Sequence, residues 1–422
     1  MRRILFTCLV LTLVIDRSRV RADEQPELSD PLTLDAAIAY ARAHNPEIRA
    51  AQARQHAAHA RPTQAGALPD PMIDLAYHNE TFDRFTLGDS DFAWVRIGAS
   101  QEIPFPGKLG LKADIAQRTA QGTAAAAQRV EREVVSRVKR AYAEYAHLQE
   151  QHHLLERSRR LLQNLARSAE SKYAVGDGIQ QDVIRAQLEL SMIEDRATTL
   201  EQRSRSQTAE LNALLNRPAT APLGVPQHLE ERHLTRSLDD LLAAAQVQAP
   251  ELDVAASRIA ASEAGLTLAH RDYLPDFVVR ADYMNKAALD PEWEIGIGVT
   301  LPLYAASKQL AGVNEAAAML AEARQERDGT ARLIEARVRD LFARAQAAER
   351  LVALYHTTII PQARLALESA TTAYGVNKVD FMTLLNSFTL MLEYEMRYHE
   401  ELSNFQNATA QLEALVGEAV EG

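Results

Sequence analysis

The sequence predicts a mainly α-helical chain with a small β part, built as an internal duplication whose halves each hold two short strands and two long helices. Three observations predict it. Features recur in the same order about 200 residues apart, four short segments alternate apolar and polar residues, and no proline occurs from Gly107 to Arg217.

The duplication comes first because it organises the rest. Leu34-Asp35 with Asn45-Pro46-Glu47-Ile48 matches Leu238-Asp239 with Ala249-Pro250-Glu251-Leu252. Leu68-Pro69-Asp70 matches Leu274-Pro275-Asp276, and Ile103-Pro104-Phe105 matches Leu301-Pro302-Leu303. Tyr173-Ala174-Val175-Gly176 matches Tyr374-Gly375-Val376-Asn377. The first repeat is expected over 23–216, with strands near 72–80 and 92–102 and helices near 108–173 and 179–216. A proline-bearing linker, 217–236, leads to the second repeat at 237–417. Its strands are expected near 276–285 and 293–301 and its helices near 308–373 and 379–417.

Residues 1–22 read as an export signal: Arg2 and Arg3, an apolar run from Ile4 to Ile15, then Val20-Arg21-Ala22 with small residues at the cleavage positions. That run is shorter than the ~20 residues of a spanning helix. Cleavage after Ala22 removes five basic residues and Asp16, taking the net charge from −11 to −15. So acidic a chain argues against a nucleic-acid partner. Cys8, the single cysteine, leaves with the signal, so stability must come from packing and assembly.

Each strand segment has one apolar and one polar face. Ile73, Leu75 and Tyr77 alternate with Asp74 and His78, and Ala93, Val95, Ile97 and Ala99 alternate with Arg96, Gly98 and Ser100. Phe277, Val279, Ala281 and Tyr283 alternate with Arg280 and Asp282, and Trp293, Ile295, Ile297 and Val299 alternate with Glu294, Gly296 and Gly298. Segments of ~9–11 residues with this period cross a bilayer as tilted strands. The same period fits a small soluble sheet with one dry face. Tyr283 and Trp293 stand where an aromatic belt sits, whereas the parity of Trp94 puts it on the polar face.

The helices are long. Val130, Val134, Val138, Ala141, Tyr145 and Leu148 recur at spacings of three and four, and Ile334, Val338, Leu341 and Ala345 repeat the stripe. A helix over 108–173 is ~100 Å long, while the returning helix after Gly176-Asp177-Gly178 is ~57 Å. An incoming helix from Glu47 to Leu68 adds ~33 Å, so two stacked helices nearly match the long one. Pro361 is expected to kink or restart the second long helix.

Four strands cannot close a barrel, and open strand edges are not tolerated in lipid. Two copies supply eight strands, a number that side chains fill, and three supply twelve, which leave a channel. Each chain offers four helical columns. At ~10 Å per column, twelve columns enclose a lumen of ~28 Å and eight only ~15 Å. A homotrimer with a twelve-stranded barrel continuous with a helical barrel is the better conduit, although this arithmetic leaves other copy numbers open.

From about Leu32 to Val416, the order of helix, strand hairpin, long helix, Tyr-x-Val-Gly turn and returning helix resembles the TolC outer-membrane efflux family. Leu68-Pro69-Asp70-Pro71 and Gln101-Glu102-Ile103-Pro104-Phe105-Pro106-Gly107-Lys108 are similar to the heavy-metal branch, the cation-efflux outer-membrane proteins. The resemblance implies a trimer in the outer membrane of a Gram-negative bacterium, with its helical tunnel in the periplasm. It also implies a periplasmic adaptor and an inner-membrane pump of the RND type as partners, and the pump supplies the energy. The function implied is an exit duct for heavy-metal cations. A duct for drugs or secreted polypeptides is the alternative within this architecture, and an exported coiled-coil structural protein the alternative outside it.

On the same resemblance, Val175, Gly176 and Asp177 with Val376, Asn377 and Lys378 form the adaptor-docking tip. Asn377 replaces the usual glycine, and asparagine tolerates a left-handed backbone. Asp182 and Tyr374 match part of an interlock that closes the periplasmic gate. Thr383 and Asn386 stand where some members carry lumen aspartates, so an acidic gate does not carry over.

No catalytic, cofactor or metal constellation emerges. His152 and His153 are adjacent and point ~100° apart on a helix, and His399-Glu400 lacks a second histidine four positions on. His78 and Met72 share a polar strand face that suits a lumen wall. The chain does not read as an enzyme and needs no cofactor.

Overall fold

A computed structural model describes residues 31–228 and 231–422, so the export signal and Cys8 lie outside the described residues. The first repeat comprises α1 (Leu34–His44), α2 (Pro46–Gly66), β1 (Met72–His78), β2 (Trp94–Ile103), α3 (Lys108–Ala174) and α4 (Gln180–Leu214). The second comprises α5 (Leu238–Gln248), α6 (Pro250–Arg271), β3 (Asp276–Asn285), β4 (Glu292–Thr300), α7 (Leu310–Leu354), α8 (Ile360–Gly375) and α9 (Phe381–Val416). Among the described residues no helix is long and apolar enough to cross a membrane.

The strands form one antiparallel sheet in the order β1-β2-β3-β4. Each repeat contributes a hairpin. The two hairpins join through β2 and β3, where Ile97 faces Tyr283 and Ala99 faces Ala281. β1 and β4 are left as edges.

The helices stand as four columns. α3 packs against α2 and α6 along one part of its length and against α4 and α9 along the other, while α7 and α8 pack on α6 and α9. The predicted stripe is the reason. Val134, Val138, Ala141, Tyr145 and Leu148 are buried, and so are their repeat mates Ile334, Val338, Leu341 and Ala345. Equivalent cores follow: Leu32, Ala37 and Tyr40 with Leu211 and Leu215 in one repeat, Leu241 and Ala245 with Leu412 and Val416 in the other. The third core is shared between repeats and fills the far end of the helices around Leu162, Ile193, Leu367, Phe381 and Phe388.

Asn45 splices the first stacked column. Its Oδ1 accepts from Glu47 N at 2.8 Å and Ile48 N at 3.3 Å, capping α2, while its Nδ2 donates to Leu214 O at 2.8 Å, the end of α4. One buried side chain thus serves two helix ends of opposite polarity. In the second repeat Ala249 has no such group. Arg132 from α3 reaches that junction instead, donating from Nη1 to Gln248 O at 2.8 Å and lying beside Gly417, which ends α9 at φ +77°.

Several expected boundaries move. β1 stops at His78 rather than at residue 80, because Asn79 and Glu80 turn into a hydrogen-bonded loop. β2 begins at Trp94 rather than at residue 92, and β4 covers Glu292–Thr300. The segment expected as one helix over 308–373 begins with a π-turn, Ala305–Gln309, and runs to Gly375. Pro361 stands in the first turn of α8. A second π-turn, Tyr355–Ile359, widens the spiral just ahead of the proline, whose ring would otherwise meet the carbonyl four residues back. α9 starts at Phe381 rather than at 379, since Asp380 caps it by accepting from Thr383 N at 2.7 Å.

The linker is not a loose strap. Leu32 N donates to Val225 O at 2.9 Å and Gln227 N to Leu32 O at 3.0 Å. Farther on, Thr235 N donates to Val420 O at 3.2 Å, and the carbonyl and amide of His233 pair with Gly422. Each end of the linker therefore pairs with one end of the chain's described part.

Replacing Asn45 with alanine should lower stability by about 2 kcal/mol, one cap plus one buried hydrogen bond. The same change should leave the sheet intact. Denaturation followed by circular dichroism measures the first, and heat-resistant strand signal in detergent the second.

Candidate functional site

The sheet presents two chemically different walls. Ile73, Leu75, Tyr77, Ile97, Val279, Tyr283, Trp293, Ile295, Ile297 and Val299 share one face, and Ile73 and Ile297 are three-quarters exposed there (75% and 74%). Tyr77, Tyr283 and Trp293 lie toward its outer end, as a belt. The opposite face carries a cross-strand row of Asp74, Gly98, Asp282 and Glu294. Gly98 lets the two carboxylates approach, because a Cβ there would lie 2.5 Å from Asp282 Oδ1 and 2.6 Å from Asp74 Oδ1 and push them aside. Arg96 bridges the two carboxylates, at 2.9 Å from Asp74 and 3.6 Å from Asp282. Trp94 lies on this polar side, stacked on His78 with ring centroids 5.1 Å apart, in agreement with its parity.

The sheet is clasped to the helices at a neck. Lys108, buried at the start of α3, donates to Leu274 O at 3.0 Å and pairs with Asp276 at 3.0 Å. Phe105 N donates to the same Asp276 carboxylate at 2.7 Å. Gly107 turns the chain into α3 at φ +92° beneath the Arg271 guanidinium, which donates to Pro106 O at 2.8 Å.

At the far end both helical turns close in the same way. Asp177 N donates to Lys172 O at 2.9 Å and Gly176 N to Tyr173 O at 3.1 Å, with Gly176 at φ +85°. Lys378 N donates to Ala373 O at 2.9 Å and Asn377 N to Tyr374 O at 3.2 Å, with Asn377 at φ +57°. Both are Schellman closures, so asparagine serves where glycine stands in the first repeat. Val175, Gly176, Asp177, Val376, Asn377 and Lys378 are all exposed.

Below the turns the repeats diverge. Tyr374 is buried (6% exposed) against Phe381, ring centroids 5.5 Å apart, whereas its repeat mate Tyr173 is 48% exposed. The mate of Phe381 is Gln180, which offers no ring to pack on. Lys172 joins the two turns: its ammonium lies 4.3 Å from the centre of the Tyr374 ring and donates to Tyr374 O and Asn377 Oδ1. Sequence reading missed this lysine, although a cation in the last turn of a helix was a visible signal. It also missed Glu395, buried between Arg157 at 3.1 Å and Arg364 at 3.3 Å, which ties α9 to α3 and α8.

Asp182 and Tyr374 do come near each other, yet no direct bond links them. The Tyr374 hydroxyl is buried and has no hydrogen-bond partner. Burial, and then the Asp182 charge, push the phenol upward. Burial, and then the Asp380 carboxylate, push the Asp182 carboxyl above its ordinary range, while hydrogen bonds to Thr383 hold Asp380 below it. Thr383 and Asn386 lie exposed on α9, and Thr383 N is taken up by the Asp380 cap. His152 and His153 are exposed with their rings nearly perpendicular (87°), and among the described residues no three His, Cys, Asp or Glu gather as metal ligands.

Residues 37–217, nearly the whole first repeat, match the model of the outer membrane efflux protein family. The first repeat belongs to that family. The second repeat has the same fold. Across both, the chain is similar to the outer-membrane channel OprN, with 17% identity, a TM-score of 0.78, and coverage of 91% of this chain and 89% of that one. It is similar to the outer membrane protein VceC of Vibrio cholerae at 18% identity and TM-score 0.77, over 92% of this chain and 96% of that one. CusC, whose folding leads to a transmembrane channel, matches at 14% identity and TM-score 0.78, over 91% of each chain. At such identities the likeness is one of fold. No curated protein sequence matches the chain. The first repeat is thus matched as an outer membrane efflux protein by sequence, and both repeats share the fold of outer-membrane channels.

A raised carboxyl pKa means that the folded tip disfavours ionised Asp182. Its contribution to stability is full below the ordinary carboxylate pKa of about 4 and is lost as pH rises through the raised value. Asp182→Asn should therefore resist denaturation better than the parent protein at pH 7, with the gap closing toward about pH 4. Paired melts across that range measure it.

Proposed function

We propose that three copies of this chain close a twelve-stranded barrel and form the exit duct of a tripartite efflux system for heavy-metal cations. The sheet carries the proposal: one face is apolar and exposed, the other polar, and both of its edges are open. Unpaired backbone groups at β1 and β4 cannot remain in hydrocarbon, so each β1 pairs with the β4 of a neighbouring copy. The outermost helical columns offer matching surface. Ile184, Leu188 and Met192 make an exposed apolar stripe on α4, and Leu333 and Leu365 are exposed on α7 and α8.

In this reading the tunnel ends at the two Schellman turns, and Val175, Gly176, Asp177, Val376, Asn377 and Lys378 meet a periplasmic adaptor. An inner-membrane RND pump supplies the energy, and the duct conducts. Asp182 and Tyr374 act at the gate beside Thr383 and Asn386. Heavy-metal cargo is favoured by the Leu-Pro-Asp-Pro and Ile-Pro-Phe-Pro-Gly-Lys segments and by the Asp74, Asp282 and Glu294 row, which suits cations better than anions. A duct for drugs or polypeptides is the second reading, since the pump rather than the duct selects.

Deleting the gene should lower tolerance to zinc, cobalt, cadmium or copper while leaving tolerance to common drugs unchanged; the reverse pattern refutes the metal assignment. Gly176→Trp has open space around its Cβ but a left-handed backbone. It should abolish efflux in cells while cross-linked trimers persist, and undiminished efflux would remove Gly176 from the adaptor contact.

A further inference from the structure

We propose that the loop between β1 and β2 is seated in the lipid of the outer leaflet, with Phe82 and Phe85 as its anchors. The proposal rests on the barrel reading above and adds a second membrane contact beyond the strands.

The loop is built, not slack. Asn79 is its hub: Nδ2 donates to Arg84 O at 2.8 Å, and Oδ1 accepts from Thr86 N at 2.8 Å, from Thr86 Oγ1 at 3.0 Å and from Tyr77 Oη at 2.8 Å. Thr86 is buried, and its hydroxyl oxygen also accepts from Glu80 N at 3.2 Å. A loop ordered in this way holds its side chains in fixed directions. Yet Phe82 is fully exposed and Phe85 largely so. A polar framework that holds two phenylalanines outward needs an apolar phase to receive them.

The direction of that phase follows from Tyr77. The Phe85 ring lies 6.1 Å from the Tyr77 ring, and Tyr77 stands on the apolar face of the sheet opposite Val95. Phe85 therefore continues the Tyr77, Tyr283 and Trp293 belt beyond the end of β1, on the lipid side. Arg84, also exposed, sets a cation at the depth of phosphate-bearing headgroups. The β3–β4 loop has no such character. It has no aromatic residue, and its Lys286 folds back onto Glu292 at 2.7 Å.

Single-tryptophan forms of the full chain test this in vesicles of phosphatidylcholine with brominated or plain acyl chains. Trp94→Phe leaves Trp293 as the reporter of barrel insertion. In the background of Trp94→Phe with Trp293→Phe, Phe82→Trp reports the loop and Asp290→Trp the opposite hairpin tip. Phe82→Trp should lose about half its emission in brominated vesicles, as Trp293 does, and Asp290→Trp almost none. Phe85→Trp repeats the measurement if the first variant does not insert. Quenched Trp293 with an unquenched, red-shifted loop tryptophan overturns the seating and leaves the barrel standing. An unquenched but blue-shifted loop tryptophan also overturns it, because the loops then pack on one another over the pore. An unquenched Trp293 sinks both the seating and the barrel reading beneath it.

Discussion

Backbone pairing in a medium without water is the constraint on which this structure depends. A strand in hydrocarbon can leave no amide or carbonyl unpaired, because each such group costs several kcal/mol. Within the chain, that demand is met in the middle of the sheet. β2 and β3 pair along their length and stitch the two repeats together. It is not met at β1 and β4. The duplication thus solves half of the problem and leaves the other half to neighbouring copies, on the proposed reading. Other features become intelligible from there: one apolar wall, one polar wall, and helices that must continue a ring rather than fill a core.

Helical length is the second consequence. α3 runs unbroken for 67 residues, but its neighbours are built from two shorter helices laid end to end. A stacked column needs its internal ends satisfied, since four amides and four carbonyls meet at each junction. Asn45 caps α2 and takes up one α4 carbonyl in the first repeat, and in the second Arg132, from an adjacent helix, takes up the last carbonyl of α5. The same mechanical requirement is met by unrelated chemistry, which is what relaxed duplication permits. Near the membrane, Lys108 and Asp276 carry the corresponding load between sheet and tunnel.

The tip shows how far two copies of one motif can part while keeping the same backbone. Gly176 and Asn377 occupy equivalent left-handed positions and close equivalent turns. The side chains below them are not equivalent. Phe381 gives Tyr374 a partner that Gln180 cannot give Tyr173, and Lys172 has Ala373 as its repeat mate. Two identical repeats would place both tyrosines in the same setting. These repeats place one tyrosine inside, under a lysine, with Asp182 and Asp380 close enough to oppose each other's charge.

Much of this was legible in the sequence because it is local. Strand faces follow from a period of two, helix stripes from spacings of three and four, turns from Gly176 and Asn377, and the twofold plan from recurrence itself. Strand and helix ends shifted by a few residues where side chains captured the backbone, as Asn79 does after β1 and Asp380 before α9. The course through Pro361 was settled by a π-turn that no local pattern announces. Only the tertiary structure decided which of two equivalent tyrosines is buried, which helix ends Asn45 and Arg132 serve, and that Gly98 lies between two aspartate carboxylates. Apart from the Tyr374–Phe381 contact, those outcomes depend on groups tens to hundreds of residues apart, brought together by packing, and a linear pattern carries no record of that proximity.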